Sequence, residues 1–322
     1  MSVTNRQEIL FIYEAKDCNP NGDPLDENKP RTDPETGVAT VTDVRIKRTV
    51  RDYLHQVKGQ EILVRGTLDK DGFQRDAKGR CEDFYAAAGV TNTDKSKDAA
   101  AKLSVIIPKM CIDARLFGCT MPVEIKKPGS SVTLTGPVQF NGFNRSLNRI
   151  SPIFVQGTGA FASGTEKTKN TFREEYIVPY ACIAAYAVVN EVTARSTGLT
   201  DEDVNLLLEG LWKGTESLIS RSKMGHQPLA LIRFTYRESY RIGDLAGRIS
   251  LVSDKEDIQI RSINDYCINV APLLDAVQSA KEKITSIEVL QDDRLVFLDS
   301  NASGKFAGLA RLDKLVSELK LG

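Results

Sequence analysis

Hydrophobic positions change their spacing several times along the chain, and each change predicts an element. EILFIYEAK over residues 8–16 is a nearly unbroken apolar run with aromatic and β-branched residues. It predicts a strand covered on both faces. VTDVRIKRTVRDYLHQVK over residues 41–58 has a longer period. Ile46, Val50, Tyr53, Leu54 and Val57 recur at intervals that predict an amphipathic helix with one buried stripe. Between the two, residues 17–40 are polar and carry Pro20, Pro24, Pro30 and Pro34, the composition of a shaped loop. SVTLTGPVQFNGF (131–143) alternates as a strand and breaks at Gly136-Pro137. Further helices are predicted over about 178–195, from Thr200-Asp201 to Ile219, over 271–283, and at LARLDKLVSEL near the C-terminus. LALIRFTYRE, IEVLQ and LVFLD read as strands.

Two segments break this alternation. Residues 59–109 hold DKDGFQRDAKGR and TNTDKSKDAAAK and read as an insertion projecting from the core. Residues 144–173 are irregular, with Gly157, Gly159 and Gly164 beside Ile153, Phe154, Val155 and Phe161. That mixture predicts a hairpin with exposed aromatic side chains. Strands and helices in one large unit over residues 1–322 define an α+β fold with long insertions.

Composition narrows the function classes. The chain has 322 residues, 41% hydrophobic and 27% charged, and its formal net charge is zero. No apolar run is long enough for a membrane span, and MSVTNRQEIL lacks the basic-then-apolar order of a signal peptide. Six scattered cysteines without a CxxC pair argue for reduced thiols and a cytoplasmic location. Two histidines exclude a multi-histidine metal site, and no cofactor is implied.

Several local motifs fail on inspection. DCNPNGDPLDEN (17–28) spaces Asp17, Asn19, Asn21, Gly22 and Asp23 as a calcium loop does, but Asn28 replaces the bidentate Glu and a strand precedes it. GAFASGTE (159–166) lacks the lysine of a phosphate-binding loop. LFI (10–12) partly matches one strand of an RNA-recognition motif, while the second signature is missing. Asp23, Asp33 and Asp113 are candidate ligands for a metal-dependent nuclease, though nothing pairs them in sequence.

The basic residues are more informative. Lys47, Arg48, Arg51, His55 and Lys58 share the polar face of the 41–58 helix, where only Asp43 and Asp52 are acidic. With Thr42 as N-cap, Arg45 stands where a capping box places Glu. Cations at a helix N-terminus oppose the dipole, a cost offset where an anion binds.

NPNGDP (19–24), PETG (34–37), TDVRIKRTVR (42–51), DARLFG (113–118), GPVQF (136–140), EEYIVPY (174–180), TGLTDED (197–203) and RSKMG (221–225) follow one another in this order. The series closely resembles the backbone subunit of CRISPR Cascade complexes, most like its subtype I-B form and close to I-C. The resemblance implies a modified ferredoxin-like palm with inserted fingers (59–109) and a thumb hairpin (144–173). It implies a non-catalytic subunit that polymerises along CRISPR RNA and presents the guide for pairing with target DNA in antiviral defence. Partners are then neighbouring copies, the 5′-handle-binding, large and small subunits, and the guide-processing endonuclease. The residues expected on the RNA are Asn21, Arg45, Lys47, Arg48 and Arg51, then Arg145 and Arg149, then Arg221, Ser222, Lys223 and Met224. Phe154 and Phe161 are the two candidates for a wedge that displaces a base. A metal-dependent RNA nuclease and a plain structural filament are the rival readings.

Overall fold

The computed structural model describes residues 2–162, 170–299, 302–304 and 315–322, with backbone alone over 158–162, 170–172 and 302–304. At its centre lies the strand Gln7–Cys18. It runs antiparallel to Asn170–Val189 on one side and to His226–Tyr236 on the other, with Phe11 opposite both Ala185 and Leu231. Outward from His226–Tyr236 come Ile284–Gln291, antiparallel, and Val316–Glu318, parallel. On the other flank, Val138–Phe140 and Phe143–Arg149 pair with Asn170–Val189, and Val38–Thr42 pairs with Phe143–Arg149. The sheet is therefore mixed, and its middle is antiparallel.

The unbroken apolar pattern of the central strand follows from burial on both faces. Ile9, Phe11 and Tyr13 pack with Val50, Leu54, Leu207 and Leu211, beneath the helices Asp43–Gln56 and Asp201–Glu216. Leu10 and Ile12 face the other way, into a core with Phe234, Leu273, Val277 and Phe297. That second core is closed by the helix Ala271–Ser279 and a small sheet of Ser250–Val252, Cys267–Asn269, Phe297–Asp299 and Ala302–Gly304. Two buried carboxylates of the central strand anchor this layer. Glu8 accepts hydrogen bonds from the Tyr186 hydroxyl and from the backbone N–H groups of Ile242 (2.8 Å) and Gly243 (2.9 Å). Glu14 accepts one from the Tyr180 hydroxyl at 2.7 Å, which also meets Tyr266 at 2.8 Å. Both faces of the strand that carries LFI are thus covered by protein, with no open face for stacking bases.

The structure corrects two predicted elements. Residues 178–189 are the inner part of the strand Asn170–Val189, and the helix is confined to Glu191–Thr197. IVPYACIAAYAVV is apolar all round, and its alanines favour a helix in isolation. Buried between two strands, the same residues serve both cores, and tertiary context decides the conformation. Near the C-terminus, Val316–Glu318 is a strand where a helix is predicted, and residues 309–314 of that prediction lie outside the described residues. The helix expected over 41–58 is found as Asp43–Gln56, with Ile46, Val50, Tyr53 and Leu54 buried and Val57 exposed beyond its end.

The insertion carries its own core of Leu63, Cys81, Phe84, Leu103, Ile107 and Met121. Met121 comes from a hairpin, Gly118–Val123 with Ser130–Thr135, so the unit extends past residue 109. Gly118 and Gly136 mark where this hairpin crosses the chain. A Cβ on Gly118 would lie 2.1 Å from the Leu134 carbonyl oxygen, and one on Gly136 would lie 2.0 Å from the Phe117 carbonyl carbon. The expected thumb region divides in two. Phe143–Arg149 belongs to the main sheet, while Ile153–Ala162 forms a two-stranded ribbon with Asn170–Ile177, Phe154 opposite Tyr176.

Candidate nucleic-acid interface

Three segments far apart in sequence meet at the C-terminal end of the central strand. The 221–225 loop is bonded to it through Lys16 N–H to the Gly225 carbonyl (2.9 Å) and Asn19 N–H to the Ser222 carbonyl (3.0 Å). The Lys223 ammonium donates to the carbonyls of Asn19 and Pro20, the latter at 3.1 Å. Asn21 then reaches the helix Asp43–Gln56. Its Oδ1 accepts from the Thr42 N–H (2.8 Å) and hydroxyl (3.0 Å), and the Thr42 Oγ1 caps the Arg45 N–H. Asn21 thereby fixes the loop to the helix N-terminus that Arg45 occupies. The supposed calcium loop is a hydrogen-bonded turn. Asp23 pairs with Arg31 at 3.0 Å and accepts the Leu25 N–H, and the Gly22–Asp23 pair bridges to Lys29–Pro30.

The structure sorts the expected RNA-binding cations by what neutralises them. Lys47 pairs with Asp43 at 2.8 Å and lies over the Phe117 ring. Arg51 pairs with buried Asp113 at 2.9 Å and also lies over Phe117. Arg48 chelates Asp52, both contacts at 2.7 Å, with its side chain 63% exposed. Arg221 pairs with Glu175 of the ribbon strand, and Arg149 lies 4.0 Å from Asp257. Arg45, Lys223 and Arg145 have no carboxylate within ion-pair reach among the described residues. Arg145 is exposed on the strand Phe143–Arg149 beside a groove of about 290 Å³. Met224 is exposed, and Ser222 contributes its carbonyl to Asn19.

Arg45 lies close enough to Lys223 for its charge to act on the amine. Burial, and then the Arg45 charge, pull the Lys223 amine down to about 8. Burial likewise lowers Arg45. Behind them, burial and the Lys223 charge hold His226 down at about 3, so its imidazole is neutral at pH 7. The Nδ1–H of that neutral ring donates to the Lys223 carbonyl at 2.7 Å, which fixes the loop's path. Two half-buried cations with no anion between them form an electrostatic demand for one.

Beside this point an open groove of about 480 Å³ runs to the ribbon, lined by Lys29, Arg31, Thr40, Phe143 and Tyr176 among others. Lys29 lies over the Tyr176 ring, and the Arg31 Nε is buried without a hydrogen-bond partner. Neither cation was expected from sequence, since the loop has no periodicity to mark which side chains turn inward. Phe154 is 48% exposed and meets Tyr176 with ring centroids 5.1 Å apart. The Phe161 side chain lies outside the described residues.

The three nuclease candidates stand apart. Asp113 is 1% exposed and accepts from Arg51 and from the backbone N–H groups of Leu63 and Val64. Asp33 accepts from the N–H groups of Glu35 and Thr36. No group of three metal-ligating side chains occurs among the described residues, and no described helix is long and apolar enough to cross a membrane.

A mixed sheet with this covering of helices is shared with two solved chains of CRISPR RNA-guided surveillance complexes. One, from a pre-nicking complex, aligns with a TM-score of 0.54 at 12% identity over 92% of this chain and 96% of its own. The other aligns with a TM-score of 0.51 at 12% identity over 98% and 95%. The sequence goes further. The family model for CRISPR-associated protein Cas7 matches residues 5–271. A CRISPR-associated protein Cas7 from Haloferax volcanii is 30% identical over 312 residues, covering 92% of this chain and 89% of its own. The chain belongs to the Cas7 family.

Gly225 tests the loop geometry. A Cβ there would lie 1.7 Å from the Lys16 carbonyl oxygen, whereas one on Gly142 would meet nothing. Gly225→Ala is expected to destabilise the fold by about 3 kcal/mol in urea unfolding, and Gly142→Ala to leave the midpoint unchanged. Equal midpoints for the two variants would show that the loop does not lie where the structure places it.

Proposed function

We propose that this chain is a CRISPR RNA-binding backbone subunit of a type I Cascade complex. The observation that carries this reading is the Arg45–Lys223 pair, two cations without a carboxylate at the junction of the NPNGDP, TDVRIKR and RSKMG segments. A phosphate seated at their mouth satisfies both. The neutral chain suits assembly, because copies stacked along a guide do not repel one another while their basic points follow the strand. In this reading the sheet and its two helices are a ferredoxin-like palm, the insertion is the fingers, and the ribbon is the thumb. Successive copies present the guide for pairing with target DNA alongside the other Cascade subunits. The chain acts as scaffold, and its candidate nuclease carboxylates serve structure: Asp113 and Asp23 hold arginines, and Asp33 shapes a turn.

Arg45→Ala with Lys223→Ala should lower the slope of log affinity against log salt by about 0.7 for single-stranded RNA, the contribution of the one phosphate the pair shares. An unchanged slope would remove the pair from the interface. The same RNA incubated with magnesium should remain intact; cleavage abolished by Asp23→Ala, Asp33→Ala or Asp113→Ala would favour the nuclease.

The Lys223 amine also gives binding a pH dependence. Because its folded value lies near 8, below that of a free lysine, the folded chain binds fewer protons than the unfolded chain above pH 8. The penalty for its buried charge is full below pH 8 and is relieved as the pH rises. A phosphate requires the ammonium, so affinity should fall about tenfold from about pH 7 to about pH 9, whereas Lys223→Arg should be flat. Parallel pH profiles for the two proteins would refute the assignment.

Phe154 is the wedge candidate whose side chain the structure describes. Its half-exposed ring, supported by Tyr176, can insert between bases without taking a core residue away. With 2-aminopurine along a bound guide, the wild type should show periodic bright positions and Phe154→Ala a weakened period. Retention of the period with a lower melting temperature would make Phe154 a packing residue.

A further inference from the structure

Lys223 is held in a way that suits a nucleophile as well as a charge. Its nitrogen donates to two acceptors, the carbonyls of Asn19 and Pro20, the latter at 3.1 Å. A neutral amine has two N–H bonds, and both are then used. An ammonium has a third, for which the described residues offer no acceptor. The side-chain Oδ1 of Asn19 does not serve, because it is buried without a hydrogen-bond partner. With both N–H bonds fixed on carbonyls, the lone pair of the neutral amine takes the remaining tetrahedral direction, away from them.

The groups around the amine keep it reactive near neutral pH. Burial, and then the Arg45 charge, hold it at about 8. The other titratable neighbours are uncharged there. Burial raises the Cys18 thiol of the central strand to about 12, and the His226 imidazole is neutral. A lysine desolvated beside a second cation is an activated nucleophile. Arg45 itself forms no ion pair among the described residues, so its guanidinium is free to hold an anion next to that nucleophile.

We propose that Lys223 is a site of acylation and that its acyl donor is a small acyl phosphate. Arg45 holds the phosphate of the donor, and the acyl carbon, one oxygen away, is brought to the amine. The Lys223 nitrogen attacks that carbon and forms the C–N bond. The C–O bond to phosphorus then breaks, and inorganic phosphate leaves. One amine proton passes to the phosphate or to water, and the amide keeps a single N–H. A thioester carrier fits less well, because any phosphate it bears lies far from its acyl carbon, and Arg45 cannot hold the one while Lys223 meets the other. The product has no charge at Lys223, and one of the two carbonyls loses its donor. The inference rests on the reading of Arg45 and Lys223 as an anion site. In that reading an acylated copy cannot seat the guide's phosphate, so acylation separates copies that can join a guide from copies that cannot.

The test incubates the full chain, free of nucleic acid, with acetyl phosphate and follows each lysine by peptide mass spectrometry. Lys223 should react about tenfold faster than the exposed Lys97 near neutral pH. Its rate should level off above about pH 8, while that of Lys97 continues to rise. Inorganic phosphate should protect Lys223 and leave Lys97 unaffected. Arg45→Ala should lower the acetyl phosphate rate at Lys223 at least about tenfold relative to the rate with acetic anhydride, a donor that offers Arg45 no anion. Reaction at Lys223 no faster than at Lys97, or unprotected by phosphate, overturns the proposal, and both measurements use the wild type. Salt slopes for RNA are measured on the unmodified chain. Acetylation of Lys223 with a slope indifferent to the pair would remove the RNA reading and keep this site, and the reverse result would keep the RNA reading alone.

Discussion

The central strand Gln7–Cys18 is constrained on all four sides. Strands pair with both of its edges, and side chains pack on both of its faces. No water-facing position remains from Gln7 to Ala15, so even Glu8 and Glu14 are buried and must be bonded. Burial of this kind fixes the register, since a slip of one residue would exchange the two cores and bury the carboxylates among leucines. It also fixes where the strand ends. Exposure resumes at Lys16 and Asp17, and the loop leaving that point is what Lys223 and Asn21 hold in place. The candidate interface thus adjoins the most constrained element of the fold, although Lys223 lies on a loop and Arg45 in the first turn of a helix.

Zero net charge has a local explanation at this site. Most of the basic residues that the helix pattern brings forward are cancelled inside the chain, Lys47 by Asp43, Arg48 by Asp52 and Arg51 by Asp113. The Arg48–Asp52 pair is an exposed i,i+4 pair worth about 0.3–0.5 kcal/mol, and a strand of phosphates can compete for Arg48, whereas Lys47 is largely covered against the Phe117 ring. Arg51 differs, because breaking its pair would leave the Asp113 carboxylate buried and charged. For the phosphate proposed at this helix, Arg45 and Lys223 would be available at once and Arg48 by exchange, with Lys47 and Arg51 withheld.

The sequence made the helix Asp43–Gln56, its N-cap Thr42 and the central strand legible, because each is announced by local spacing. It misled over residues 178–189, where an all-apolar run has no period and the choice between helix and strand belongs to the neighbours. Candidate site residues divide in the same way. Lys47, Arg48 and Arg51 look equivalent along the helix, and only a tertiary contact 62 residues away separates Arg51 from the rest. Lys29 and Arg31 left no signal, since Lys29 is placed by a ring, Tyr176, supplied by a strand far down the chain, and Arg31 by its pair with Asp23 across the loop. The α+β class and the order of short motifs were readable throughout; the wiring between the motifs was not.

That wiring explains why the motifs are short and widely spaced. DARLFG supplies Asp113 to Arg51 of TDVRIKRTVR and Arg115 to Asp203 of TGLTDED, at 2.9 Å and 2.8 Å. Asp203 also completes the capping box of Thr200 at the start of the helix Asp201–Glu216. Gly118, the last residue of DARLFG, lets the chain pass against Gly136, which opens GPVQF. RSKMG closes on NPNGDP through Lys223, and on EEYIVPY through Arg221 and Glu175. At the Arg51–Asp113 and Arg115–Asp203 clasps, a change in either half leaves a buried or half-buried charge without its partner. Exposed loop residues away from these contacts carry no such penalty. Variation there, in the loops of the insertion and along the ribbon, can alter what the surface touches while the geometry around Arg45 and Lys223 stays fixed.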